Sequence, residues 1–585
     1  MMTALRIKRR QILQYTCLAL GTIVLFFLIG RMYQVLLYSP DDIAMKSYIS
    51  GAATGTPDGH CWFLQYALSA SLARLYRAFP GVEWYDLFFL GCLAGCFFLV
   101  FQRVFHIKSK RNKVLYLITS TLLIWILFAG HVINLEWTVT AGILGATGVF
   151  RYVTINEKQH QSIRILERVI ILVLLLLCFL IRSTVLYMFF PLLIACIFVK
   201  ILALKKTGGD WKRQLWLDAG LVLICVLLLA GLMTVHNLAY SNDEWAAYRN
   251  FTEDRSALFD YYGYPDYYTY QSYYEEAGIS REMYELLAYD YNYLIPLGDS
   301  KQVDLGIIAD LAKELHATGA GIWSRMNSAY TVLSSAMTST SFLGPALILA
   351  VLFCCCFFSL RQNPYAFFLA VAGISWVTLV SLYLAFQGRL PIRVELCLLF
   401  GGTAVLGGLL LQHGTERPSL TLKFRWTDVF VCMLIIGCLC LNMFRLYSAN
   451  LANHKSASEK AVITTYCQQH PGDVFLRDFW SFSQNPDFFL HGTEFSSANY
   501  FATGGWQYNM PPYQATLSQF GCESITEAVL EGHGVFYLVD ESHIDAVLER
   551  LNRYYDSSGQ PVYVSPYDAL QTEQGVVYIL KFNRS

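Results

Sequence analysis

The chain has 585 residues, with 43 Lys+Arg against 43 Asp+Glu and a formal net charge of zero. Charged residues are 15% and hydrophobic residues 55% of the total, whereas a soluble domain carries about 25% charged residues, so a large cytosolic enzyme is excluded. No basic excess is available to neutralise phosphates, which removes nucleic acid as a partner. An integral membrane protein with one modest soluble part remains.

A bilayer-crossing helix needs about 20 consecutive apolar residues, and about eleven such runs occur in chain order. They are residues 14–38, 85–105, 114–133, 137–155, 167–181, 184–203, 216–239, 342–360, 365–386, 392–412 and 427–447. The first run is too long for a removable signal peptide and lacks a small-residue cleavage site, so it anchors. Lys and Arg collect in alternate loops: Arg6, Lys8, Arg9 and Arg10; Arg103, Lys108, Lys110, Arg111 and Lys113; Lys158, Arg164 and Arg168; Lys205, Lys206, Lys212 and Arg213; Lys423 and Arg425. Positive loops stay in the cytoplasm, which places the N terminus inside and the C-terminal part outside the plasma membrane. The expected architecture is an α-helical polytopic membrane domain over residues 1–447, with outer loops 39–84 and 240–341. An extracytoplasmic α/β domain follows over 448–585, with a helix from 456 ending at His470-Pro471-Gly472, strands at 474–476, 535–539 and 576–581, and a helix at 542–555. Most of the 16 cysteines lie in apolar runs as small buried hydrophobes. Cys467 with Cys522 is the pairing open to a disulfide in an outer domain.

The sharpest polar feature is Ser39-Pro40-Asp41-Asp42, directly after the first run. Adjacent carboxylates at a membrane boundary raise each other's proton affinity unless they are hydrated, paired or working. Ser39 or Asp41 also suits a helix cap, with Pro40 at the helix entry. Asp58 and His60 follow in a Gly/Pro-rich loop, and then Leu64, Leu68, Leu72 and Leu75 form one face of a helix expected to lie in the membrane interface. Glu136 stands in the next outer turn.

This organisation resembles the GT-C superfamily of membrane glycosyltransferases: a short charged N terminus, one span, an outer loop opening with an acidic pair, an interfacial helix, many further spans and an outer C-terminal α/β domain. The DD and TGTPD segments of the first loop also resemble multi-spanning proteins of Gram-positive bacteria. The superfamily likeness implies transfer of a sugar, with inversion, from a polyprenyl-phosphate donor to an extracytoplasmic glycan, lipid or protein acceptor, with Asp41 or Asp42 in the place of the family's first-loop acid. Such a donor needs cations for its leaving phosphate. Arg182, between two apolar runs, and Arg389 and Arg393, at a bend, supply guanidinium groups that contact phosphate bidentately; snorkelling to headgroups is the plain alternative. Asp58 and His60 are then expected to position the acceptor or to complete a divalent-metal site, and Glu136 to face the same cavity. A polysaccharide polymerase or ligase and a lipid-linked glycan flippase or transporter are the rival readings. The Tyr-rich run 259–270, Trp480 and Trp506 read either as sugar-stacking rings or as packing.

Overall fold

A computed structural model of the chain describes residues 2–33, 35–37, 39–105, 107, 110–156, 159–300, 303–319, 322–416, 426–482, 487–488 and 497–585. Every apolar run forms a helix: Met2–Met32, Trp84–Phe105, Lys110–Ile133, Trp137–Val153, Gln161–Ile181, Ser183–Lys206, Trp211–Ala239, Thr340–Leu360, Pro364–Phe386, Ile392–Glu416 and Trp426–Gln469. Among the described residues, 7 helices are long and apolar enough to cross a membrane. The protein is thus an α-helical polytopic membrane protein with a C-terminal sheet domain.

The Trp137–Val153 helix, at 17 residues, is buried along its whole length and forms an inner column rather than a lipid-facing wall. Small residues allow this. A Cβ at Gly142 would run into Cys397, and one at Gly145 would sit 2.8 Å from the Phe189 ring, so glycine lets the neighbouring helices close on the column. At the far end of these helices, Glu167 takes both Arg103 (2.6 Å) and Arg151 (2.5 Å), and Asp218 takes Arg168 (2.7 Å). Arg103 and Arg168 are therefore buried ion-pair partners rather than solvated loop charges, which weakens their weight in the orientation argument. Lys108, Lys158, Lys423 and Arg425 lie outside the described residues.

Three sequence expectations change. The first run stays helical only to Met32, because the chain then extends into a short strand, Leu36–Leu37. The interfacial helix, Tyr66–Ala78, turns Leu68 and Leu72 into the protein, and Leu64 just before it is likewise buried, leaving Leu75 exposed. The last span and the first helix of the C-terminal part are one helix, Trp426–Gln469, of 44 residues. At 1.5 Å per residue it is about 66 Å long, so the expected boundary at 447/448 falls inside a continuous rod.

That rod leads into a five-stranded sheet ordered Tyr500–Ala502, Val474–Arg477, Val535–Asp540, Val576–Arg584, Val562–Gln571. The first three strands are parallel and the last two antiparallel. Cys467 and Cys522 are both free thiols in separate hydrophobic clusters, so no disulfide joins them. The Tyr-rich run is a packed unit: Tyr267 stacks on Tyr274 at 5.4 Å, and the Tyr274 and Tyr284 hydroxyls both donate to the Pro265 carbonyl.

Candidate active site

A ladder of only two residues per strand brings the candidate residues together. Leu36 and Leu37 pair in parallel with Asn134 and Leu135, and antiparallel with Phe488 and Asp487. Because the first two strands run in the same direction, the chain segments that follow them, Ser39–Asp42 and Glu136–Thr138, emerge side by side. Ser39 caps the Pro40–Ser50 helix, its Oγ accepting from the Asp41 N–H at 3.2 Å, and Pro40 occupies the first turn. Two acids in that turn complement the positive end of the helix dipole. Consecutive helical residues point about 100° apart, so the two carboxylates part company.

Asp42 points inward. Tyr85 donates to its Oδ1 at 2.6 Å and the Trp137 N–H to its Oδ2 at 3.2 Å. Burial pushes its carboxyl well above the usual carboxylate range, the Tyr85 bond opposes that, and Glu136 adds to it. The same helix is pinned by Lys46, whose Nζ lies 2.8 Å from Asp86 and 3.1 Å from Glu83.

Asp41 points into a cluster of charges. Arg393 Nη1 reaches its Oδ2 at 3.3 Å, and the Trp506 indole N–H donates to its Oδ1 at 3.1 Å. The same Nη1 lies 3.6 Å from Glu136 Oε1, close enough for charge pairing but long for a hydrogen bond. Burial lifts Glu136 to about 7, against the pull of Arg393 and Arg182. Arg182 caps the Ser183–Lys206 helix; its guanidinium lies over the Trp137 ring at 4.2 Å and donates to Thr138 Oγ1 at 2.5 Å. Burial, with Arg393 nearby, lowers Arg182 to about 10. Two acids, Asp41 and Glu136, and two guanidiniums, Arg393 and Arg182, thus share one end of the bundle.

The other expected residues stand apart. Arg389 pairs with Asp260 at 2.9 Å and lies over Tyr261, so it ties the bend before the Ile392–Glu416 helix to the 240–341 segment instead of joining Arg393. Asp58 and His60 pair with each other at 2.7 Å, and the imidazole stacks on Trp245 with Tyr66 and Tyr240 around it. Among the described residues no three His, Cys, Asp or Glu side chains gather to hold a metal ion. Between Asp41 and Glu136, where a cation would sit, the Arg393 guanidinium already does. Cavities of about 310 Å³, lined by residues such as Tyr152, Lys200 and His413, and about 190 Å³, lined by residues such as Phe97, Tyr116 and Phe400, lie away from Asp41.

The main residue that sequence reasoning did not place here is Trp506. It belongs to the C-terminal sheet domain, and its only sequence signal is the run Thr503-Gly504-Gly505-Trp506. Tyr85 and Trp137, which hold Asp42, stand beside acids in the sequence, Asp86 and Glu136, and that adjacency is a usable signal.

No family model matches the chain, and no curated protein does. Among solved structures, the chain is similar to ArnT from Cupriavidus metallidurans bound to undecaprenyl phosphate, at 11% identity over 97% of this chain and 98% of that chain, with a TM-score of 0.39. It is similar to the same protein in the apo state at 11% identity over 98% of each chain, also with a TM-score of 0.39.

Proposed function

We propose that the protein is an inverting membrane glycosyltransferase that moves a sugar from a polyprenyl-phosphate donor to an acceptor hydroxyl at the outer face of the plasma membrane. The observation that carries this reading is the Asp41 carboxylate beside Arg393, with Arg182 and Glu136 in the same cluster. Asp41 takes the proton of the acceptor hydroxyl as its oxygen attacks the anomeric carbon. The bond from that carbon to the phosphate oxygen breaks, and the electron pair leaves with the lipid phosphate. Arg393 and Arg182 take up the growing negative charge, and Arg393 exchanges part of its pairing with Asp41 and Glu136 for the phosphate. Asp42 supports the site from behind through Tyr85 and Trp137. The acceptor belongs to the glycans, lipids or proteins of the cell envelope. In this orientation the N terminus is cytoplasmic and the sheet domain lies outside.

The test uses full-length protein in lipid nanodiscs, a cell-envelope extract of glycans, lipids and proteins as the acceptor, and a panel of undecaprenyl-phosphate-linked hexoses, N-acetylhexosamines and pentoses, with acceptor-dependent release of undecaprenyl phosphate as the readout. At least one donor should turn over, and Asp41→Asn should lower that rate by about 10² to 10⁴, the usual contribution of a positioned base. No turnover by the unmodified protein, or a fully active Asp41→Asn, rejects the reading.

A further inference from the structure

The contact between Asp41 and Trp506 joins two parts of the chain that the sequence keeps far apart, a separation of 465 residues. Its geometry is specific. Asp41 presents one oxygen to Arg393 and the other to the indole N–H, so the carboxylate plane is fixed by two donors from two different elements. A second lone pair remains on each oxygen, and the side chain keeps 20% of its surface exposed, so an acceptor hydroxyl can still bond to it.

The indole itself is held firmly. Trp506 is 7% exposed, its ring meets Phe63 edge-on at 4.9 Å, and its carbonyl accepts from the Tyr248 hydroxyl at 2.8 Å. The turn that delivers it has no freedom to vary. Gly505 has φ +84, and a Cβ at Gly504 would collide with the Tyr291 carbonyl oxygen. The turn is stitched to the 240–341 segment, since the Thr503 carbonyl accepts from the Tyr293 and Leu294 N–H groups at 2.8 and 3.0 Å. A buried indole N–H needs an acceptor, and which acceptor it takes is what matters here. This one donates to the carboxylate assigned above as the base.

We infer that Trp506 is a positioning residue for Asp41, and that the C-terminal domain thereby completes the active site of the membrane domain. The inference rests on the glycosyl-transfer reading. The indole N–H selects one orientation of the carboxylate, and with it the direction from which an acceptor hydroxyl is deprotonated.

The decisive variant is Trp506→Phe, which keeps an aromatic ring against Phe63 and Tyr48 and removes the N–H together with the five-membered ring that carries it. With the donor that the unmodified protein turns over, kcat should fall about tenfold, the size expected for losing one hydrogen bond to a charged group. KM for the donor, undecaprenyl-phosphate binding and the melting temperature in nanodiscs should stay within twofold or a few degrees. A Trp506→Phe protein with unchanged kcat overturns the inference, while Asp41→Asn still reports on the glycosyl-transfer reading independently. The smaller ring leaves a void that accounts for a few degrees of melting temperature, but a kcat loss accompanied by a matching rise in KM overturns the inference, because that pattern belongs to packing. An active Asp41→Asn removes the base itself, and the inference falls with it.

Discussion

Asp41 and Arg393 lie 352 residues apart in the chain and 3.3 Å apart in space. Arg393 also faces Glu136, so one guanidinium is shared between two acids. Removing it leaves Asp41 and Glu136 facing each other with only Arg182 near. We expect Arg393→Ala to weaken binding of undecaprenyl phosphate by about 10- to 100-fold, the value of a charged hydrogen bond. Arg393→Lys should recover part of the loss, because it keeps the charge but not the two-pronged contact. Titration of the lipid phosphate into full-length protein in nanodiscs measures both; equal affinity in all three proteins would remove Arg393 from the phosphate site.

The two neighbouring acids should separate cleanly. Asp41→Asn removes the proposed base and, with its oxygen kept on Trp506, turns an NH2 toward Arg393; that guanidinium is 27% exposed and can bond to water instead, so activity falls while the melting temperature drops less than it does for Asp42→Asn. Asp42→Asn puts an NH2 where either the Tyr85 hydroxyl or the Trp137 N–H needs an acceptor. A buried mismatch of this kind costs about 1–3 kcal/mol, so the melting temperature falls. Thermal unfolding and donor turnover, measured on the same two preparations, check the split. The opposite pattern would exchange their roles.

Glu136 gives the site a pH signature. Its folded-state value, about 7, lies above the ordinary 4.5, so between those limits the folded protein holds more protons than the unfolded chain. Stability therefore declines as pH rises through that window. Glu136→Gln lacks this proton and should melt with the unmodified protein below pH 4.5 and above it near pH 8. Melting curves across that range suffice, and a constant gap between the two proteins would show that burial does not govern Glu136.

How far the sequence reached depends on the kind of signal. Spans are legible because a bilayer imposes long apolar runs, and all of them form helices. Asp41, Glu136, Arg182 and Arg393 are legible because a charge at the edge of such a run is conspicuous, and the structure gathers these four. Arg389 looks the same in sequence as Arg393, but its partner Asp260 lies in a π-helical turn, Ala257–Tyr262, and no local pattern announces that pairing. Two-residue strands such as Leu36–Leu37 are too short to show any alternation, yet they set the register of the whole site. Trp506 is the least visible, because one aromatic in the C-terminal sheet domain carries no periodicity and its partner is most of the chain away.

The Pro40–Ser50 helix that carries Asp41 is anchored from below by Lys46. Its side chain is 3% exposed and lies between Asp86, 0% exposed, and Glu83, 11% exposed. Lys46→Met removes the cation that lies 2.8 Å from the buried Asp86 carboxylate, and breaking one side of a buried pair costs about 3–5 kcal/mol. Because Asp41 is only a helical turn away, the loss of turnover should accompany the loss of stability. Replacing both partners tests the cause. Lys46→Met with Asp86→Leu removes the stranded charge, leaves Glu83 at the rim to hydrate, and should return most of the melting temperature and of the activity together. If the double variant melts as low as Lys46→Met alone, the ion pair is not what holds Asp41 in place.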